Sequence, residues 1–344
     1  MRKLNNSLVS IVMPCYNRAE FLKESLEAIQ SQTYTHWEII LVDDGSSDNT
    51  KAVLADLMTP LLEARLRYIF RDNGGAYAAR NTGIDDANGA YIAMYDSDDL
   101  WLPHHLQDCV QALEDHPEVS WVYADAKKVN YETGELVVPS GFRESGLHPM
   151  FDLPMTQHGS LHIFDDIEAT ICCEFENNLC CFLQTGVIRK EVFEGRRFSC
   201  EYRSEGEDEI FPARAMKAGF RLGFIDNIHL EYRFHQNNAS SAAIGISINK
   251  HLNVLERALS AYYALPAEME LTQRERAALN ARIANDHFWK RGYVLLWGNG
   301  RAQEAFGEFK KGIAAQPYNL KLRKTFWLCK FKQFIGAVPN GSTP

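Results

Sequence analysis

Apolar positions along this chain change their period in a regular way. Leu8–Met13 is a short continuous apolar run that breaks at Pro14-Cys15-Tyr16-Asn17. From Arg18 to Gln32 the residues Phe21, Leu22, Leu26 and Ile29 recur at helical spacing. Trp37–Val42 is a second strand-like run ending at Asp43-Asp44-Gly45-Ser46-Ser47-Asp48, and Thr50–Leu62 is again helical. Arg67–Arg71 predicts a short third strand, and Gly74-Gly75 opens a segment that holds Arg80. Ala90–Tyr95 then predicts a buried strand, and the helix Pro103–Asp115 follows. Strand and helix alternate four times, which predicts an α/β fold with a parallel sheet covered by helices on both faces.

Ligands of such sheets bind in the crevice beyond the carboxyl ends of the strands. Pro14–Asn17, Asp43–Asp48 and Asp96–Asp99 all fall at such ends. In an extended chain Asp96 and Asp98 face one way and Asp99 the other. Carboxylates this close repel one another unless a cation or water intervenes. Oxygen-only ligands suit Mg²⁺ or Mn²⁺, which in turn hold phosphates. The competing reading is an acidic turn before the next helix, but three clusters on one rim favour a site. No Gly-x-Gly-x-x-Gly follows the first strand, and no P-loop sequence occurs.

Composition adds limits. The 344 residues are 46% hydrophobic and 24% charged, an ordinary globular balance with room for two domains. A net charge of −9 argues against nucleic acid as a partner. No apolar run approaches the ~20 residues that span a bilayer, and Leu8–Met13 is too short for a signal peptide's core. A cytoplasmic protein is expected. Cys172-Cys173 and Cys180-Cys181 lack the spacing of zinc sites and are expected to be small buried residues, not chelators.

Val12-Met13-Pro14-Cys15-Tyr16-Asn17, Val42–Asp48, Ala79-Arg80-Asn81-Thr82-Gly83 and Tyr95-Asp96-Ser97-Asp98-Asp99 occur in this order. Together they resemble the family 2 glycosyltransferases of GT-A fold, over roughly residues 8 to 240. The resemblance implies that Asp44 meets the nucleotide base, Arg80 the nucleotide, and Asp98 the ribose or the metal. Pro14, Tyr16, Asn17 and Asp96 would belong to the same nucleotide-sugar pocket, and Asp99 would hold the metal. His235, in Tyr232-Arg233-Phe234-His235-Gln236-Asn237-Asn238, matches the family segment whose histidine approaches that metal. Glu207-Asp208, followed by Arg214, matches the motif of the catalytic carboxylate, with Asp208 as base. Acidic residues opening a helix are also favourable on dipole grounds alone. The Gln-x-x-Arg-Trp motif of processive relatives is absent, which favours transfer of one sugar.

Val119–Phe142 predicts two strands around Glu132-Thr133-Gly134, while residues 143 to 180 give no clear elements. His148, His158 and His162 are read as isolated surface histidines. Arg221–Asp226 and Ile228–Phe234 are read as strands. Beyond Ile246 the pattern is helical: Asn249–Ala264, Gln273–Trp297, Ala302–Gln316 and Leu320–Phe334. Trp289, Gly300, Ala305, Phe309 and Pro317 match one tetratricopeptide repeat, with Tyr293 where its glycine belongs. A single copy predicts a helical hairpin packed on the catalytic domain. The basic, aromatic helix 320–334 lies either on an anionic membrane surface or in solvent with one packed face.

These readings predict a catalytic domain over 1–240 and a helical extension over 246–338. The expected activity is inverting transfer of one sugar from a nucleotide sugar, a UDP-sugar, to a hydroxyl of a glycan or lipid-linked acceptor. Mn²⁺ or Mg²⁺ would assist, within synthesis of bacterial-type cell-surface polysaccharide, lipopolysaccharide or glycoconjugate. The location would be cytoplasmic, with peripheral membrane contact through the last helices. The alternatives are a sugar-phosphate nucleotidyltransferase, against which Pro14–Arg18 shows no glycine, and a non-catalytic nucleotide-sugar sensor.

Overall fold

The computed structural model describes residues 7–179, 182–201, 206–235, 238 and 247–339. Cys180, Cys181, Gln236 and Asn237, named above, lie outside them. The chain opens with β1 (Val9–Cys15), α1 (Leu22–Gln30), β2 (Trp37–Asp43), α2 (Thr50–Leu57), α3 (Pro60–Arg65) and β3 (Leu66–Phe70). The predicted helix 50–62 is thus two helices. Pro60 has no N–H to continue the first, and it opens the second under the Thr59 cap. Then come α4 (Ala76–Asp86), β4 (Tyr91–Met94), β5 (Leu100–Trp101) and α5 (His105–Asp115).

The order β3-β2-β1-β4 is parallel throughout, as the alternation predicts, and the apolar residues of β1, β2 and β4 are buried. Gly89 lets the start of β4 approach β1, since a Cβ there would meet the Leu8 carbonyl at 2.5 Å. Beyond β4 the sheet is mixed. It continues through β6 (Val119–Asn130), β7 (Leu136–Val138), the hairpin β8 (Met155–His158) and β9 (Leu161–Phe164), α6 (Ile167–Asn177), β10 (Val187–Arg189), α7 (Glu207–Lys217) and β11 (Arg221–Phe234). The short β10 enters antiparallel between β4 and β6, and β6 pairs with β11 in parallel. The strands expected at 221–226 and 228–234 are one strand, bulged near Ile228. Cys172 and Cys173 are buried as expected, on helix α6.

Helices α8 (Ile248–Glu268) and α9 (Gln273–Asn285), a π-helical segment Asp286–Trp297, α10 (Ala302–Ala315) and α11 (Leu320–Phe334) complete the chain. The hairpin expected from the repeat-like spacing forms, and its second core holds Phe288, Trp297, Ala305 and Phe309. The glycine contact falls on Gly292, whose Cβ would meet the Phe309 ring at 2.7 Å. The wider π turn brings residue 292, one before the repeat position, against α10. Helix α9 packs on α6, and Lys217 of α7 joins Glu275 of α9 at 2.8 Å.

Candidate active site

A cleft of about 550 Å³ opens at the carboxyl ends of β1 and β4, where the strand order reverses. Pro14, Tyr16, Asp44, Arg80, Asp96, Asp98 and Asp208 all line it. Tyr16 is 46% exposed, a free aromatic face at its mouth. Arg80 is nearly buried, and its terminal nitrogen donates to Asp96 at 2.6 Å. Asp44 accepts from the Gly74 and Gly75 N–H groups at 3.1 and 2.7 Å and pairs with Arg71. That carboxylate therefore pins the loop entering α4 to the end of β2. Asn17 is not part of the lining. It sits at φ 53, where its side-chain oxygen accepts from Ser47 N–H at 2.8 Å and Asp48 N–H at 3.3 Å, holding two rim loops together.

The acidic stretch turns rather than running extended, with Asp99 N–H donating to the Asp96 carbonyl. The expected division of faces survives that turn. Asp96 and Asp98 meet the cleft, whereas Asp99 is 1% exposed and points inward. Its oxygens accept from Arg233 N–H at 2.9 Å and Gln184 Nε2 at 3.0 Å. Burial, then the charges of Asp98 and Asp96, push its carboxyl well above the ordinary range. Asp99, expected to hold the metal, here faces away from the cleft and braces the strand end against β11.

Asp98 is the opposite case. Burial would raise its carboxyl, but the His235 hydrogen bond and the Arg18 charge hold it below the usual value. His235 Nε2 and Arg18 Nε lie 3.2 and 3.1 Å from the same oxygen, Oδ2. A carboxylate oxygen and an imidazole nitrogen at that separation suit two ligands of one divalent ion. Arg233 Nε also donates to the Asp98 carbonyl at 2.6 Å, so β11 and the residue just after it fix this turn.

Three adjacent carboxylates open α7, and the helix sends them apart. Glu207 is fully buried, held by Arg214 at 2.6 Å and Ser199 N–H at 2.8 Å. Glu209 bonds the Tyr262 hydroxyl and pairs with Arg282 at 2.8 Å. Burial raises the pKa of both, against the lowering charge of Arg214 or Arg282. Asp208 alone of the three lines the cleft, and the Tyr77 hydroxyl donates to its Oδ1 at 2.9 Å. Burial, then the Asp208 charge, raise the Tyr77 phenol far above its ordinary value, so it stays a donor.

The family model for glycosyl transferase family 2 matches residues 10–172. That match covers just under half of the chain and carries its similarity to glycosyl transferase family 2. It is 32% identical over 139 residues to an Escherichia coli protein, UDP-Glc:alpha-D-GlcNAc-diphosphoundecaprenol beta-1,3-glucosyltransferase WfgD, covering 40% of this chain and 53% of that one. It is 26% identical over 258 residues to the uncharacterized glycosyltransferase EpsJ of Bacillus subtilis, covering 74% of this chain and 70% of that one. Two other curated relatives, from Rickettsia felis and Sinorhizobium fredii, are matched over only 24% and 14% of their own length. Among solved structures, S. aureus TarS 1-349 in complex with UDP superposes with a TM-score of 0.59 at 19% identity, covering 96% of this chain and 88% of that one. The architecture is the GT-A fold.

Several lining residues escaped the sequence reading: Tyr77, Lys128, Gln184 and Arg257. Tyr77 lies in the segment opened by Gly74-Gly75, three residues before Arg80, and that proximity was the one available signal. Lys128 and Arg257 arrive from β6 and α8, far away in sequence. His148 is half-buried, with Nδ1 accepting from Met150 N–H, His158 stacks near His116, and His162 lies flat on Phe224.

Proposed function

We propose that this chain transfers a single sugar, with inversion, from a UDP-sugar to an acceptor hydroxyl. The carrying observation is that one cleft gathers Arg80, Asp96, Asp98 and Asp208. Tyr16 would stack on the base at the mouth, with Pro14 beside it. Arg80 would meet the nucleotide. Mn²⁺ or Mg²⁺, held by Asp98 and His235, would neutralise charge building on the leaving diphosphate. A mannosyltransferase from Pyrobaculum calidifontis, solved with GDP-Man and Mn²⁺, has a comparable fold at a TM-score of 0.54. Asp208, oriented by Tyr77, would take the acceptor proton as the hydroxyl attacks the anomeric carbon.

The acceptor is proposed to be a lipid-linked glycan in cell-surface polysaccharide synthesis, in line with the activity in the name of WfgD. Among the described residues no helix is long and apolar enough to cross a membrane. Contact would instead run through α11 at the cytoplasmic surface. From Phe309 onward the chain carries seven lysines and arginines and no carboxylate side chain, within a chain of net charge −9. Trp327, Phe331 and Phe334 on α11 are 63%, 59% and 88% exposed. That combination suits an anionic lipid surface. In this reading residues 1–240 are the catalytic domain and 246–338 a helical extension.

The test is calorimetric binding of UDP with Mn²⁺ and with chelator, then turnover of a nucleotide-sugar panel. Metal should tighten UDP at least tenfold, and Asp98→Asn should erase that gain. Asp208→Asn should keep UDP affinity and lower turnover by a factor on the order of 10²–10⁴. Equal UDP affinity with and without metal, or near wild-type turnover in Asp208→Asn, would sink the assignment.

A further inference from the structure

Helix α5 and its N-cap carry two residue pairs at i and i+4: His104 with Asp108, and His105 with Cys109. Such pairs lie on one helical face. His229 of β11 reaches between them. The register explains how: Ile228 and Leu230 pair with the consecutive Asp125 and Ala126, so His229 is the extra residue of a β-bulge. A bulge re-aims a side chain, and here it buries an imidazole completely against α5.

His105 Nδ1 lies 3.2 Å from His229 Nδ1 and 3.7 Å from Cys109 Sγ, and all three residues are fully buried. Tetrahedral Zn²⁺ with its usual bond lengths places two nitrogens about 3.4 Å apart and nitrogen and sulfur about 3.6 Å apart. The two imidazoles stand nearly perpendicular, at 83°, so both can aim at one point without stacking. A hydrogen-bonded histidine pair explains the cluster less well. It accounts for the two Nδ1 atoms and leaves the buried Cys109 Sγ, 3.7 Å from the same His105 Nδ1, without a role. With a metal on Nδ1, His229 Nε2 becomes an N–H facing the Asp108 carboxylate, 3.6 Å away. Metal-bound histidines are ordinarily oriented by such a carboxylate.

We propose that His105 Nδ1, Cys109 Sγ and His229 Nδ1 form a zinc site that clamps β11 to α5, with Asp108 orienting His229. Its ligands are two nitrogens and one thiolate, a donor set for Zn²⁺ and not for the Mg²⁺ or Mn²⁺ of a phosphate-binding rim. Binding releases the Cys109 thiol proton to solvent. The clamp sits four residues before Arg233 of β11 and six before His235 just beyond it, the residues that hold Asp98 and Asp99. It therefore fixes the strand that shapes the cleft, and it stands whether or not sugar transfer is the activity.

Metal analysis of the purified full-length chain should find stoichiometric zinc that survives gel filtration. After chelation, Zn²⁺ should raise the melting temperature of the wild-type protein. Co²⁺ in its place should give a sulfur-to-cobalt charge-transfer band. Cys109→Ser should lose the charge-transfer band, and Asp98→Asn should keep the whole spectrum. Absence of zinc, together with no Zn²⁺ effect on the melting temperature of the chelated wild type, would overturn the proposal without requiring any variant to fold. A cobalt spectrum lacking the sulfur band and abolished by Asp108→Asn would overturn this ligand set, placing the ion on His104, Asp108 and His229 Nε2.

Discussion

The Tyr77 hydroxyl touches Asp208 twice, donating to Oδ1 at 2.9 Å and accepting from the Asp208 N–H at 3.2 Å. The Tyr77 ring is itself fixed by stacking on Phe198 at 5.6 Å. One phenol thus positions the proposed base and caps the first turn of α7. Tyr77→Phe keeps the stacked ring and removes both bonds. Turnover should fall roughly tenfold, the scale of one lost hydrogen bond to a charged group, while UDP affinity stays near wild type. A parallel loss of UDP affinity would show that Tyr77 shapes the donor pocket instead.

Glu207 and Glu209 flank Asp208 but face Arg214 and Arg282. Glu207→Gln and Glu209→Gln should therefore act on stability. Each leaves a largely buried guanidinium short of a charged partner, a loss of about 1–3 kcal/mol in chemical unfolding. Turnover per folded molecule should hardly change. Wild-type stability with lost turnover in either variant would move the base away from Asp208.

Glu308 of α10 accepts from His287 Nδ1 at 2.6 Å and pairs with Arg291 and Lys311 at 2.8 and 2.9 Å. Burial alone would raise its carboxyl, yet these partners bring it down to about 2 from 4.5. A depressed carboxylate stabilises the fold above its unfolded value and loses that contribution as pH falls towards the folded one. The gap corresponds to about 3 kcal/mol at neutral pH, at about 1.4 kcal/mol per tenfold. The stability difference between wild type and Glu308→Ala should be large at neutral pH and shrink between about pH 4.5 and 2. A difference that does not change with pH would assign the effect to packing.

For α11, Trp327→Ser with Phe331→Ser should abolish co-sedimentation with anionic vesicles, and Lys324→Glu with Lys330→Glu should weaken it. Binding of the wild type should fall as salt rises, because the basic residues act within a Debye length of the surface. Donor hydrolysis should be the same in all of them. Wild-type protein that ignores anionic vesicles at low salt leaves α11 as a solvated helix held by Leu322 and Cys329.

The alternation of strand and helix up to α5 was legible in the sequence because each element carries its own period and punctuation. The rim was legible for the same reason, since Pro14–Asn17, Asp43–Asp48 and Asp96–Asp99 each follow a strand directly. Residues 143–180 were not, because α6 and the β8–β9 hairpin bury faces supplied by α9 and β11. Side chains at 207, 208 and 209 must diverge on any helix, each turned about 100° from the last. Which one meets the cleft depends on how α7 docks, and that docking rests on α8, through Gly206 against Ala258 and Ala261. Asp99 turns inward because Arg233 N–H and Gln184 reach it from 134 and 85 residues away. The sequence by itself determined which residues carry charge and which elements hold them. The tertiary structure decided which of those charges meet the cleft and which brace the fold, because that depends on partners no local period encodes.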